Sequence, residues 1–151
     1  YGVGLALGMS PLGAFVAVQG DLNFTPEILL LSGFTFCWMS GYDIIYALQD
    51  EEFDSGQNLK SIPVLMGTKN ALRLSEVLHL IAAAGVVLGF IYGGFSWLYL
   101  GGAVVFIGLL LYQHLIVKPN DLSRVNLAFG TTNGVASVIF CVFVCLDIFL
   151  L

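Results

Sequence analysis

Five apolar stretches dominate this sequence and limit the folds that it can adopt. They cover residues 2–19, 27–48, 71–92, 96–117 and 131–151, and each is long enough to cross a bilayer as a helix. Only 10% of the 151 residues are charged and the mean hydropathy is +0.94, whereas soluble domains carry about 25% charged residues. The pattern therefore predicts an all-α, polytopic transmembrane bundle of five helices in one domain, residues 1–151.

The basic residues occur only in or beside the two long polar connections, and they are Lys60, Lys69, Arg73, Lys118 and Arg124. Two predicted crossings separate these connections, so both should lie on one side of the membrane. The positive-inside rule assigns that side to the cytoplasm. We therefore expect an integral membrane protein, in a bacterial inner membrane, that has the lipid bilayer and no nucleic acid as a partner.

An acidic run, YDIIYALQDEEFD at residues 42–54, is the strongest local anomaly in the sequence. We expect the helix to continue past the membrane to about Phe53. At about 100° per residue, four side chains of the run then share one face of that helix. They are Asp43, Tyr46, Asp50 and Asp54.

This face suits a divalent cation. Asp50 and Asp54 lie four residues apart and repel each other unless a cation lies between them. Mg²⁺ takes oxygen ligands and is usually held by one or two carboxylates together with substrate phosphates. Asp43 lies at membrane depth, where a carboxylate costs about 3 kcal/mol and normally faces a cavity or a partner. The alternative is an ordinary solvated helix end, since charged clusters are common in loops.

Two segments of the sequence also resemble a known family. The run YDIIYALQDEEFD, followed by GQNLKSIPVLMG, has the order Asp-x-x-Tyr-Ala-x-x-Asp-x-x-x-Asp and resembles the second aspartate-rich motif of the UbiA superfamily of intramembrane prenyltransferases. The segment DLSRVNLAFGTTNGVASVIF resembles the final-helix region of its quinone-pathway members. The likeness covers nearly the whole chain and is strongest to the 4-hydroxybenzoate polyprenyltransferases and to relatives that prenylate a dihydroxynaphthoate for menaquinone.

This resemblance implies a nine-helix bundle, of which the chain would supply the last five helices. In the family, two aspartate-rich motifs face each other through Mg²⁺ and a diphosphate. The chain has no Asn-x-x-x-Asp-x-x-x-Asp first motif, and it begins with Tyr1 and not with methionine. We therefore expect a C-terminal fragment that holds half of the metal site and is inactive alone.

The implied reaction transfers a polyprenyl group from a polyprenyl diphosphate to an aromatic acid such as 4-hydroxybenzoate, in ubiquinone or menaquinone biosynthesis. It would be a Mg²⁺-assisted electrophilic aromatic substitution. The resemblance assigns roles to seven residues: Asp50 and Asp54 bind the metal, Asp43 and Tyr46 line the cavity as catalytic residues, Lys60 and Arg124 bind the diphosphate, and Asn126 contacts the acceptor or the cavity.

Several alternatives stay open from the sequence. The acceptor could be 1,4-dihydroxy-6-naphthoate or haem, because the motif binds the diphosphate and gives little information about the acceptor. The chain could also be a non-catalytic membrane component that binds an ion. For Lys60 and Arg124 the positive-inside bias is an equally good explanation. His79 and His114 could be haem or metal ligands, although lone histidines near helix ends are usually packed side chains.

Overall fold

The computed structural model describes residues 2–50, 56–57 and 60–150 of the chain. These residues form an all-α bundle, as predicted, and its β-type feature is one isolated pairing between Lys118 and Asp121. The helices are α1 (Gly2–Gln19), α2 (Pro26–Ala47), α3 (Ile62–Met66), α4 (Thr68–Gly93), α5 (Trp97–Ile116) and α6 (Asn133–Leu150). A π-helical segment, Leu127–Thr132, leads directly into α6.

Four helical segments are long and apolar enough to cross a membrane. They are α2, α4, α5 and the combined segment Leu127–Leu150, so four of the five predicted crossings are supported by length and composition. Over Val3–Gln19 the first helix is apolar but shorter, and its crossing stays a prediction. Because α4 and α5 both cross, the two long polar connections lie at the same end of the bundle, which we call the loop end.

Glycines with positive φ adjoin helices at three turns, at Gly20 after α1, at Gly67 and at Gly94. Gly94 has φ +69 and ends α4 in a tight turn. Gly67 has φ +78 and separates α3 from α4. Thr68 is the first residue of α4, and Gly67 occupies the cap position. Glycine adopts this left-handed backbone without the steric cost that a side chain would carry.

The acidic helix is shorter than the sequence predicted. We expected it to reach about Phe53, yet α2 ends at Ala47. The amides of Gln49 and Asp50 instead bond the carbonyls three residues earlier, at 3.1 and 3.3 Å. Such i→i+3 bonds tighten the last turn of a helix and satisfy carbonyls that would otherwise lack partners. Asp50 therefore lies on a turn that follows the helix.

Helix α2 lies at the centre of the bundle, with α1 and α4 packed against it. Small residues allow α1 and α2 to approach closely: a Cβ at Gly4 would overlap Ser40, and one at Gly8 would come within 2.7 Å of Phe36. A hydrophobic core at the loop end joins both long connections. Its buried residues are Ile44, Ile45, Leu48, Ala71, Leu72, Val117, Val125 and Ala128.

Candidate active site

A polar cavity of about 390 Å³ lies where α2 ends and the first long connection returns to the bundle. Three of the predicted site residues, Asp43, Asp50 and Tyr46, line it from α2 and the turn that follows. Lys60 and Ser61 line it from the side of α3. The structure thus brings together four residues that the sequence had singled out, across a separation of 17 positions between Asp43 and Lys60.

The lining combines negative and positive groups at the edge of the membrane. Asp43 is half-buried, whereas Asp50 and Lys60 are exposed, so the cavity opens from the bundle interior toward the loop. The hydroxyl of Ser61 is buried and has no hydrogen-bond partner among the described residues. Buried polar atoms are normally hydrogen-bonded, so this hydroxyl is available to a ligand in the cavity. Ser61 was not among the sequence-predicted site residues.

The lining offers oxygen donor atoms, which are the ligands that a hard divalent cation prefers. Carboxylate oxygens of Asp43 and Asp50 and the Ser61 hydroxyl line the same cavity, and Mg²⁺ prefers oxygen ligands, two carboxylates with phosphate oxygens being a usual set. Asp54, predicted as the second metal ligand, lies outside the described residues. Within the part of the chain that is described, no three acidic, histidine or cysteine side chains form a metal-binding group.

Tyr46 connects the cavity to the π-helical segment. Its ring stacks on Phe129, with centroids 4.4 Å apart and planes 29° from parallel. Val125, just before this segment, is fully buried in the loop-end core, while its neighbours Arg124 and Asn126 are exposed. Arg124 and Asn126 therefore lie at the same end of the bundle as the cavity. Neither of them belongs to the residues that line it.

The second long connection is organised by Asp121. Its carboxylate accepts hydrogen bonds from the backbone nitrogen and the hydroxyl of Ser123, at 3.0 and 2.6 Å. These bonds hold the pKa of Asp121 below its usual value, and the nearby positive charge of Arg124 acts in the same direction. Lys118 donates to the carbonyl of His114 at 3.2 Å, at the end of α5. Lys118 thus satisfies a helix C-terminus.

An apolar cavity of about 470 Å³ lies at the opposite end of the bundle, between α1, α2, α4, α5 and α6. Aromatic and aliphatic side chains form most of its wall, together with glycines of α4 against which aromatic side chains pack closely. Glu27 is the one ionisable carboxylate among its lining residues. The bundle therefore offers a polar cavity at the loop end and an apolar one at the far end.

Sequence reasoning missed two buried polar arrangements. His79 and His114, treated as isolated residues, are in contact, with Nδ1 of His79 2.8 Å from Nε2 of His114. Gln113 joins them, since its side-chain nitrogen lies 2.8 Å from the same Nδ1. Asp147 of α6 was also overlooked, although a single acid in an apolar span signals a partner. Its partner is Ser96, at the start of α5.

A comparison with protein families decides the relationship that the motifs suggested. The model of the UbiA prenyltransferase family matches residues 2–145. The chain belongs to the UbiA prenyltransferase family. It is accordingly an integral membrane protein, in agreement with its four spanning segments.

Individual members of this family are similar over most of the chain. A 4-hydroxybenzoate octaprenyltransferase of Francisella tularensis subsp. novicida is 31% identical over 140 residues, which are 91% of this chain and 48% of that protein. One from Hydrogenovibrio crunogenus is 28% identical over 130 residues, covering 83% of this chain and 43% of that protein. The chain thus spans about half the length of these curated relatives.

A solved structure supports the fold of the chain independently. The apo structure of a UbiA homolog from Aeropyrum pernix K1 superposes with a TM-score of 0.80 and 27% identity. The match covers 97% of this chain and 54% of that one. The bundle described above is therefore the UbiA fold over the matched part of the chain.

Proposed function

We propose that the protein transfers a polyprenyl group from a polyprenyl diphosphate to an aromatic acid such as 4-hydroxybenzoate. The observation that carries this proposal is the polar cavity, because it places Asp43, Asp50 and Lys60 around one space at the membrane edge. Family membership supports prenyl transfer, and the names of the similar proteins support 4-hydroxybenzoate as the acceptor. Such a reaction belongs to ubiquinone biosynthesis, or to that of menaquinone if the acceptor is a dihydroxynaphthoate.

The charges around the cavity suit a diphosphate held through a metal. Asp50, with Asp54 four residues later, would hold Mg²⁺ against the diphosphate oxygens. When bound, the metal would draw negative charge from the leaving diphosphate. Lys60 lines the same cavity as the carboxylates, and its ammonium group can donate to phosphate oxygens directly. The Ser61 hydroxyl beside it can donate one further hydrogen bond to the same group.

Asp43 and Tyr46 are placed to act on the acceptor. Both line the cavity, and Asp43 is the more deeply set of its two carboxylates. A carboxylate in that position can accept a hydrogen bond from a phenolic hydroxyl and orient the ring, or receive its proton. Arg124 and Asn126 lie on the neighbouring connection, and we propose that they meet the diphosphate or the acceptor carboxylate, for which an arginine fork is well suited.

The apolar cavity at the far end suits a prenyl chain. Each methylene that leaves water contributes about 0.8 kcal/mol, so a long isoprenoid tail favours such a space. The diphosphate head would then remain at the loop end, near Asp50 and Lys60. This arrangement agrees with the positive-inside bias, which supports a cytoplasmic loop end in a bacterial inner membrane.

The experiment is a prenyl transfer assay on membranes that contain the product of the whole open reading frame in which residues 1–151 are encoded. A labelled polyprenyl diphosphate and 4-hydroxybenzoate are supplied with Mg²⁺ or with a chelator. A bound metal ion contributes several kcal/mol of stabilisation to the charge that develops in the transition state. Because Asp50 is a proposed ligand of that metal, we expect Asp50→Asn to lower turnover by at least about 100-fold. Asp21→Asn, an exposed change in the short connection before α2, should leave turnover intact. Full Mg²⁺-dependent turnover in Asp50→Asn would overturn the proposal.

The same assay identifies the acceptor and tests whether residues 1–151 are active without the rest of the protein. Offering 4-hydroxybenzoate, 1,4-dihydroxy-6-naphthoate and haem in parallel shows which of them is prenylated. Because the chain has no Asn-x-x-x-Asp-x-x-x-Asp motif, we expect residues 1–151 by themselves to give no product. Turnover by that segment alone would show that one aspartate-rich motif is sufficient.

A further inference from the structure

A hydrogen-bonded polar network lies inside the bundle, directly below the polar cavity. It joins α4 to the backbone of α2 through Ser75 and His79, and α5 to α4 through Gln113 and His114. The first two residues and Gln113 are at most 3% exposed. Polar side chains in an apolar span are costly unless they are bonded, so this network calls for an explanation beyond packing.

The tautomers in the network follow from its acceptors. The Trp38 carbonyl oxygen can only accept, so Nε2 of His79, 3.1 Å away, carries the proton and donates. The Nδ1 atom of the neutral ring is then an acceptor. Its single lone pair faces both the side-chain nitrogen of Gln113 and Nε2 of His114, each 2.8 Å away. The Trp38 carbonyl therefore sets the tautomer of His79, and the α5 side chains share the remaining acceptor atom.

The network holds α2 at the turn that precedes the acidic face. Ser75 donates to the carbonyl oxygen of Gly41 at 2.8 Å, one turn of helix further along than the Trp38 contact. Gly41 lies two residues before Asp43. A Cβ at Gly41 would overlap the His79 imidazole, so glycine at this position lets the ring approach the helix backbone. Two directed bonds one turn apart fix both the rotation and the axial register of a helix.

We propose that His79 is a positioning residue for the active site, acting with Ser75 on the backbone of α2. Their bonds set the rotation at which Asp43 and Tyr46 enter the polar cavity and Asp50 follows them. His79 does not line the cavity itself, so it acts through α2. The inference rests on the proposed function in taking this cavity as the active site, but its geometric part is testable without any turnover.

The first measurement follows the rotation of α2 by cross-linking within the full chain in lipid nanodiscs. Cysteines replace Tyr46 and Phe129, whose rings are stacked, in a background where Cys37, Cys141 and Cys145 are replaced by serine. We expect His79→Leu to reduce disulfide formation strongly and His79→Gln, which keeps a donor at the Nε2 position, to restore most of it. Undiminished cross-linking in His79→Leu would overturn the inference.

Tyr99→Phe is the matched control, because it separates positioning from loss of stability. Tyr99 also donates from one helix to a buried backbone carbonyl of another, at 2.8 Å to Val86, but toward the far end of the bundle. We expect Tyr99→Phe to lower the melting temperature about as much as His79→Leu while leaving the cross-link unchanged. If Tyr99→Phe reduces the cross-link equally, His79 contributes stability alone and the inference is wrong.

The second measurement is Mn²⁺ binding, by electron paramagnetic resonance, to the His79 and Tyr99 variants without the introduced cysteines. Groups that orient metal ligands contribute about 10- to 100-fold to metal affinity, so we expect His79→Leu to raise the Kd for Mn²⁺ by about tenfold. Tyr99→Phe should bind as the wild type does. If the wild type itself binds no Mn²⁺, the proposed metal role fails, while the cross-linking result still decides the positioning role.

Discussion

The carboxylate of Asp147 on α6 caps the start of α5, with oxygens 3.0 and 3.1 Å from the backbone nitrogen of Ser96. The Ser96 hydroxyl donates to it at 2.6 Å and the backbone nitrogen of Tyr99 at 2.8 Å. The first amides of a helix have no partner within it, and a negative charge is favourable beside them. A residue of the last helix thus completes the N-terminus of its neighbour.

We expect Asp147→Asn to lower the melting temperature of the protein more than Ser96→Ala does. The asparagine loses the charge and turns an amide group toward backbone donors, whereas Ser96→Ala removes one of four contacts. Thermal unfolding in detergent measures both. Asp21→Asn is the control, since Asp21 is exposed and its carboxylate bonds only locally to the amide of Asn23 among the described contacts. Equal stability of Asp147→Asn and the wild type would contradict the capping role.

Lys60→Met should raise KM for the polyprenyl diphosphate by about tenfold, which corresponds to ~1.4 kcal/mol of lost binding. The physical reason is the loss of a cation that lines the polar cavity together with the carboxylates. Lys69→Met removes the same charge from the same end of the bundle, at an exposed position of α4 that does not line the cavity. Initial-rate kinetics should show little change for Lys69→Met. Matching effects of the two variants would indicate a general electrostatic role.

Tyr46→Phe should fold as stably as the wild type and lower turnover by about fivefold. The ring stack on Phe129 is retained, while a hydroxyl able to contribute about 1 kcal/mol as a hydrogen-bond partner is lost from the cavity. Tyr46→Ala should also lose stability, because an aromatic pair contributes about 0.5–1.5 kcal/mol beyond its burial. Turnover and melting temperature are measured on both. Unchanged turnover in Tyr46→Phe would limit Tyr46 to packing.

Gly41→Ala should destabilise the protein by about 1–3 kcal/mol, as overpacking typically does. An added methyl group at this position would overlap the His79 imidazole. Gly33→Ala is the control on the same helix, because no atom lies within 4 Å of a Cβ there. Its free energy of unfolding should stay equal or rise by up to about 1 kcal/mol, since alanine favours helix over glycine. Equal losses in both variants would contradict the close contact.

The sequence predicted the features that depend on local pattern. Apolar length located the spanning helices to within a few residues, and the distribution of basic residues agreed with both long connections lying at one end. The spacing of Asp43, Tyr46 and Asp50 correctly indicated one shared space, even though Asp50 proved to lie beyond the helix. It did so because the tightened turn after Ala47 keeps Asp50 near the same side.

Contacts between distant helices were not predictable from one sequence. His79 and His114 are 35 residues apart, and each alone resembles an ordinary packed histidine. Their pairing depends on how α4 and α5 are rotated, which periodicity does not determine in helices that are apolar nearly all round. Ser61 was missed for a similar reason, since its role follows from the path by which the chain returns to α2. Asp147 did carry a signal, as a single acid within an apolar span.

The π-helical segment Leu127–Thr132 holds about one more residue per turn than the α-helix that follows it. The side-chain hydroxyl of Thr132 donates to the carbonyl oxygen of Leu127, five residues earlier, at 3.0 Å. Deleting a single residue here would convert the segment to α-helix and swing everything upstream by about 100° relative to α6. Phe129 would leave Tyr46, and Arg124 and Asn126 would face a different direction. A single residue in this segment therefore sets the orientation of the whole preceding loop relative to α6.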